Sequence, residues 1–445
     1  MTEGSIAKAL VKFSIPLILS GLLQQLYSWA DALIVGNFVG ETSLAAIGAT
    51  NSVSFFFIAL IQGFSVGVSV LAAQAFGRKD DNAVTKTAAT FSVFLLGASV
   101  LLLCLGQLLM RPMLTMLGTP VDIYDLSAQY LSIIFLGLPF MAMYNLYNAI
   151  LRGIGDSRTP LVAIVVSSIT NVLLDLLFVA VFSWGVAGAA AATVIAQGLM
   201  VLYLALYAPR KHALARFRLG VRSVDRDILR EGMKLSLPTA LQSSVHSVGG
   251  LLLQNVMNSF GTQVVVAITT AYRIDSLGLL PTLNIGTGVS TFTGQNKGAG
   301  NIDRTRKGLR AGAVISLVTS LVTTTGFVLG GASLMRLFGV SEPVVAIGRE
   351  FLYFCAVFYP VFGIQNVFMG FLQGMGDVRF AAFASISSLA VRIVLSYAFA
   401  GVAGHQIIAY SEMVSWVYGM LLCMGRYWVK FRRRDAGREF EDIAS

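Results

Sequence analysis

The feature that most narrows the possible folds is a series of long apolar runs. Val84 to Met110 carries one charge, Lys86, near its start; Leu131 to Leu151 and Leu161 to Phe182 carry only Asp175 between them. Runs of about 20 apolar residues cross a hydrocarbon layer about 30 Å thick as helices. Inside that layer every backbone N–H and C=O must be paired, which leaves helices or closed barrels. Barrel strands alternate apolar and polar residues over short segments, and no such segments occur here. The chain therefore reads as an all-α polytopic membrane protein. Its composition agrees, with 56% hydrophobic and 12% charged residues among 445, against about 25% charged in soluble domains.

Twelve transmembrane helices are expected, at 13–36, 44–75, 87–110, 126–150, 159–182, 186–208, 232–259, 265–295, 310–334, 350–371, 380–400 and 406–428. Several exceed the membrane thickness, which implies tilt or projecting ends. Thr2 to Lys12 is a short amphipathic stretch that runs into the first span without a small-residue cleavage site, so no cleavable signal peptide is expected. The single cysteines Cys104, Cys355 and Cys423 form no disulfide or metal framework and are expected to be small buried side chains.

One set of connections holds 27 of the 32 Lys and Arg, including the stretch Arg210 to Lys234 and the segment from Arg426 to Arg438. By the positive-inside rule that set is cytoplasmic, and so are both termini. The net charge of +10 thus has a membrane explanation. Nucleic-acid binding would need the charge on a folded soluble module, and none is expected.

The two halves repeat. Phe13-Ser14-Ile15-Pro16 returns as Leu235-Ser236-Leu237-Pro238, and Gln74 to Lys86 aligns with Gln295 to Lys307. Pro139 matches Pro360, Asn145 matches Asn366, and Leu151 to Arg158 matches Leu372 to Arg379, all at one offset of 221. Six spans per half make parallel repeats, two six-helix bundles related by a pseudo-twofold axis along the membrane normal. The expected division is 1–207 for the first bundle, 208–231 for a cytoplasmic linker, 232–430 for the second bundle and 431–445 for a cytoplasmic tail. Such a chain suits a central cavity and alternating access.

Six ionisable residues fall within spans: Asp31, Asp175, Arg273, Asp275, Arg392 and Glu412. Each costs on the order of 3 kcal/mol at the bilayer centre, so each is a candidate functional residue. Asn171 and Asp175 are four apart, on one helical face. Together with Asp31 they supply hard oxygen ligands for Na⁺, or a carboxyl pair able to carry a proton. Capping of a neighbouring helix is the plainer alternative. The repeat places Leu253 opposite Asp31 and Ser396 opposite Asp175, so the scaffold is duplicated and the carboxylate pair is not. That asymmetry favours one coupling site, in the first bundle. Arg273, Asp275, Arg392 and Glu412 read as an intramembrane charge network, with Arg392 placed to pair with Glu412. Arg273 and Asp275, two apart, point to different faces. The Gly-x-Gly-Asp loops at Asp156 and Asp377 suit tight turns with a capping carboxylate.

The order and spacing of several motifs resemble those of the multidrug and toxic compound extrusion (MATE) family, in its DinF-like branch, over residues 5 to 430. They are the opening Ser-Ile-Pro, Asp31 in the first span, Ala45-Ala46-Ile47-Gly48, the paired Gly-x-Gly-Asp loops, Asn171 with Asp175, and Gly185 to Ala190. The resemblance implies secondary active export of amphipathic, often cationic, drugs or metabolites against inward H⁺ or Na⁺, from a prokaryotic inner membrane. It also implies a cation site at Asp31, Asn171 and Asp175, with Thr193 where the family places a threonine. A second-bundle site of another branch uses a Glu in span seven and an Asp in span ten; Gln242 and His246 stand in span seven here, and span ten holds no acid between Phe351 and Phe371.

For the substrate cavity the candidates are Gln24, Phe56, Met141, Tyr144, Tyr147, Gln242, His246 and Met257, since aromatic and Met side chains form adaptable apolar surfaces. No cofactor and no metal beyond a coupling ion is expected, the chain is expected to work as a monomer in the lipid bilayer, and its partners are small amphipathic molecules. A flippase for lipid-linked precursors is the alternative, disfavoured by only two Arg within the spans. An enzyme is not expected: the three histidines, His212, His246 and His405, form no catalytic constellation.

Overall fold

A computed structural model describes residues 1–217, 220 and 223–432. Four positions of the expected linker and the tail beyond 432 lie outside the described residues. Among the described residues thirteen α-helices are present and no strand occurs. In the first half they are α1 (Ile6–Phe38), α2 (Glu41–Gly77), α3 (Asp81–Met116), α4 (Val121–Leu136), α5 (Leu138–Gly153), α6 (Arg158–Asp175) and α7 (Gly185–Lys211). The second half holds α8 (Arg226–Asn258), α9 (Thr262–Gly298), α10 (Ile302–Arg336), α11 (Glu342–Gly374), α12 (Val378–Ala403) and α13 (Ile407–Tyr427). Helices α4 and α5 form one bent span, so the thirteen helices make the twelve expected transmembrane segments. Large apolar side chains such as Leu108, Leu329 and Val402 are exposed on the helix surfaces, as lipid-facing residues must be.

The repeat is written into the backbone as well as the side chains. Left-handed residues occur at Gly40, Lys79, Gly118, Gly155 and Ser183, and again at Gly261, Gly300, Gly339, Gly376 and Gly404. Each pair is separated by the same 221 positions. These are the turns between helices, where a positive φ suits glycine and strains other residues. In the first half Lys79 and Ser183 take that conformation without being glycine.

Two features depart from a plain row of straight spans. The expected helix at 126–150 is broken at Gly137, with α4 and α5 bent by 45°. Pro139 lies in the first turn of α5 and removes a backbone donor. A Cβ at Gly137 would sit 2.5 Å from Gln197 Oε1. In the second half Pro360 recurs, but Phe358 replaces Gly137 and α11 stays continuous. The second departure follows Asp175: the expected helix at 159–182 ends as an α-helix there and continues as a π-helical turn, Leu176–Val181. Phe182 N–H reaches back to Leu177 O, and Trp184 stacks on Phe178 with centroids 4.7 Å apart.

The chain forms two compact units, Ile15–Ser247, and Met1–Ser14 with the described residues from Val248 onward. The start of α8 therefore packs within the first of these. Ser236 Oγ donates to Phe64 O at 3.0 Å and Thr239 Oγ1 to Gly63 O at 2.6 Å. Gly63 and Gly67 allow this, since a Cβ on either would come within 2.3 Å of α8. In the other unit Ser14 meets Gly288 in the matching way, 2.6 Å from where a Cβ would stand. The core of the first unit is built by Phe57, Phe91, Leu131, Phe135, Tyr144 and Ile150, that of the second by Ile268, Phe351, Leu352, Tyr359 and Trp416. Cys355 and Cys423 are buried, whereas Cys104 is exposed on α3; a thiol is apolar enough to face lipid.

Candidate cation site and intramembrane charge network

Asp31 lies near the end of α1, and Asn171 and Asp175 occupy consecutive turns at the end of α6. Asp175 is fully buried and Asn171 nearly so, with the carboxyl groups of Asp31 and Asp175 close neighbours. Asn171 Nδ2 donates to Thr193 Oγ1 of α7 at 3.4 Å, and Thr193 Oγ1 donates to Ala189 O at 3.1 Å. That chain of donors turns the amide so that Asn171 Oδ1 is left over. Four buried oxygens have no donor: Asp31 Oδ1, both carboxylate oxygens of Asp175, and Asn171 Oδ1.

Such a set is all acceptor. Two carboxylates in a medium of low dielectric constant repel strongly, and among the described residues no Lys, Arg or His is paired with either of them. Positive charge brought to the pair, as a proton or a small hard cation, would satisfy the oxygens. The two aspartates and Asn171 offer oxygen ligands only, which suit Na⁺ better than a transition metal. Among the described residues, no three His, Cys, Asp or Glu side chains gather as a metal cluster. Sequence reasoning missed Tyr27 of α1 and Tyr130 of α4, which lie within electrostatic reach of the pair. Tyr27 was legible in principle, being one turn before Asp31. The π-turn that begins right after Asp175 was not, although such turns recur at functional sites.

The second unit holds a different arrangement at the matching turn. Arg392, opposite Asn171 in the repeat, donates to Glu412 Oε2 at 2.8 Å and to the Tyr272 hydroxyl at 2.7 Å. Ser396, opposite Asp175, donates to Ser411 Oγ at 2.8 Å. Tyr359 donates to Asp275 Oδ1, and Asp275 and Glu412 are both buried. The Arg392 group joins α12 to α9 and α13, and the separate Tyr359–Asp275 bond joins α11 to α9, within one polar region. Arg273 stands apart from it, exposed on the far side of α9, because a spacing of two turns it about 200° from Asp275.

The cavity candidates are dispersed. Tyr144 and Tyr147 belong to the packed core of the first unit, with Tyr147 stacked on Phe217 at 3.9 Å, and Met257 to the core of the second. Phe56 and Met141 are partly buried, Gln242 is partly buried, and Gln24 and His246 are exposed. Long aromatic and Met side chains at helical spacing fill cores as readily as they line cavities.

Outside the membrane, Asp156 caps α6, accepting from Arg158 N and Thr159 N at 3.0 and 3.1 Å, and binds Lys211 and His212 at the end of α7 at 2.9 and 2.8 Å. Burial raises its pKa, but hydrogen bonds from Thr159, Lys211 and His212 outweigh that and hold the carboxyl well below the usual range. Asp377, expected to cap α12, makes no such cap. Arg426 and Lys430 claim its carboxylate at 2.7 and 3.0 Å, and charge-assisted bonds of this kind outweigh a neutral backbone donor.

Comparison with known proteins agrees with this fold. The MatE family model matches residues 16–177 and again 238–398, one match in each half. A probable multidrug resistance protein of Bacillus subtilis, YpnP, is 32% identical over 376 residues, 84% of each chain. The probable multidrug resistance protein NorM of Thermotoga maritima is 26% identical, covering 84% of this chain and 81% of that one. Among solved structures, an outward-facing multidrug resistance MATE family transporter of the MOP superfamily superposes with a TM-score of 0.85 at 25% identity, over 98% of this chain and 97% of that one. Two matches to one model, a relative matched over 84% of its length and a fold shared over 97% of a solved chain lead to one conclusion: the chain belongs to the MatE family of multidrug and toxic compound extrusion transporters.

Proposed function

We propose that the protein is a secondary active antiporter of a prokaryotic inner membrane. It exports amphipathic, often cationic, drugs or metabolites by alternating access, coupled to inward H⁺ or Na⁺ bound at Asp31, Asn171 and Asp175. The observation that carries the reading is the set of four donorless buried oxygens on these three residues. An exchangeable cation is the simplest chemistry that such a set can serve. Thr193 acts as a positioning residue that turns the Asn171 amide oxygen towards the pair. In the second unit the matching turn carries Arg392, a tethered cation bound to Glu412, so exchange is confined to the first. Both termini face the cytoplasm, on the side where the Lys and Arg concentrate.

The relatives named above as multidrug resistance proteins support the substrate class. The test is uptake of an ethidium-like cation into everted membrane vesicles under imposed proton or Na⁺ gradients. Wild type should accumulate the dye under one of them, and Asp31→Asn and Asp175→Asn should not. Unchanged accumulation by both variants would sink the reading.

A further inference from the structure

Tyr144, Asn148 and Arg152 recur every four residues along α5 and so share one face. Asn148 Oδ1 and Arg152 Nε are buried with no hydrogen-bond partner. The hydroxyl of Tyr144 lies beside the Gln24 amide of α1 and within electrostatic reach of the Arg152 guanidinium. Two turns of helix separate Tyr144 from Arg152, about 12 Å along the axis. An arginine at 152 spans that gap by leaning towards the start of α5, the direction in which helical side chains lean.

A guanidinium keeps its charge, and an uncompensated one inside a membrane protein costs several kcal/mol. Structural arginines in this chain are matched: Arg392 holds Glu412 and Arg426 holds Asp377. Asp156, one turn after Arg152, is the natural local partner, yet its carboxylate is taken by Lys211, His212 and Thr159. At the repeat positions of Tyr144, Asn148 and Arg152 the second half has Gln365, Met369 and Gln373. The scaffold does not need the charge, since its duplicate does without it.

From this we infer that the Tyr144–Asn148–Arg152 face, with Gln24, binds an acidic group of the transported compound: a carboxylate, phosphate or sulfonate. The guanidinium supplies N–H donors and the charge, the tyrosine hydroxyl and the amides supply further donors, and Asn148 Oδ1 accepts from an N–H or O–H next to the acid. The exported amphiphiles would then include zwitterionic and anionic compounds beside the cationic ones. The inference rests on the export reading for what the bound compound is, and not on the coupling site.

Binding to the purified full-length protein in neutral detergent tests it, using dansylaminoundecanoate and its methyl ester as paired fluorescent probes. Wild type should bind the carboxylate about tenfold more tightly than the ester, the ratio that one charge-assisted contact supplies. Arg152→Gln and Asn148→Ala should bring that ratio towards one while ester affinity stays; Arg152→Lys should keep part of it. A wild type without preference overturns the inference, whatever the variants do. So does an Arg152→Gln protein that retains the preference, or one that loses both probes equally while melting as wild type does. Asp175→Asn, expected to abolish coupled export, should keep the preference, so the two readings fail separately. Displacement of the carboxylate probe by phosphatidylglycerol but not phosphatidylcholine in mixed micelles marks a lipid headgroup as the source, and displacement by a short-chain carboxylate alone marks a soluble compound. No displacement by either counts against the site.

Discussion

Arg392 reaches Glu412 at 2.8 Å from the helical position that the first half gives to Asn171. The same turn of the duplicated scaffold thus holds a fixed guanidinium in one unit and an acceptor-only pocket in the other. Duplication supplied two equivalent places for positive charge, and the chain fills one covalently.

This contrast yields a prediction on stability. Arg392→Gln leaves Glu412 buried without its counter-charge, and breaking such a pair costs about 3–5 kcal/mol. The variant should unfold at a clearly lower temperature in detergent, by tryptophan fluorescence or a thiol-reactive dye. Arg392→Gln combined with Glu412→Gln should recover a large part of the loss. A single variant that melts like wild type would remove the lock from the account.

The loop carboxylates give a pH dependence. Asp156 is held below the ordinary carboxylate range by Thr159, Lys211 and His212 despite its burial. A group whose folded pKa is depressed stabilises above its unfolded value, near 4, and that stability is lost as pH falls through the folded value. Wild type should therefore exceed Asp156→Asn in stability by about 1–3 kcal/mol at neutral pH, with the gap closing below about pH 4. Denaturation monitored by far-ultraviolet dichroism across pH 3 to 7 is the check. A constant gap would mean that the carboxylate charge is not the stabilising element.

The left-handed turns make a third test. Ser183 has φ 54° and is exposed, while its repeat partner Gly404 has φ 58°. Ser183→Gly should stabilise by up to about 1 kcal/mol, and Gly404→Ser, at ψ −149° where glycine alone sits without strain, should cost about 1–3 kcal/mol. Opposite shifts in the melting temperatures of the two variants are the expected result.

Much of this architecture was legible in the residues. Apolar run length marked the spans other than α8, which is too polar to be read that way, and the recurrence of Leu151 to Arg158 as Leu372 to Arg379 marked the duplication. The structure brings Asp31 and Asp175 together across α1 and α6, a tertiary juxtaposition that helical spacing alone only suggests. The break at Gly137 was hidden, because Pro139 recurs as Pro360 in a continuous helix, and what differs is Gly137 against Phe358 two residues earlier. Nor could spacing separate Tyr147, stacked in the core on Phe217, from a cavity-lining tyrosine. Arg152 counted in the sequence as one more basic residue at a span end; what sets it apart is a buried, unbonded Nε with no ion pair to a carboxylate among the described residues.

The most direct test of the central claim is counter-ion flux in sealed proteoliposomes that hold purified protein and an internal pH or Na⁺ indicator. Adding substrate outside should drive H⁺ or Na⁺ in the opposite direction through wild type, at a fixed number of ions per substrate. Asp175→Asn should bind substrate yet drive no such flux. Substrate-driven ion movement through Asp175→Asn at the wild-type ratio would contradict the assignment of the cation site.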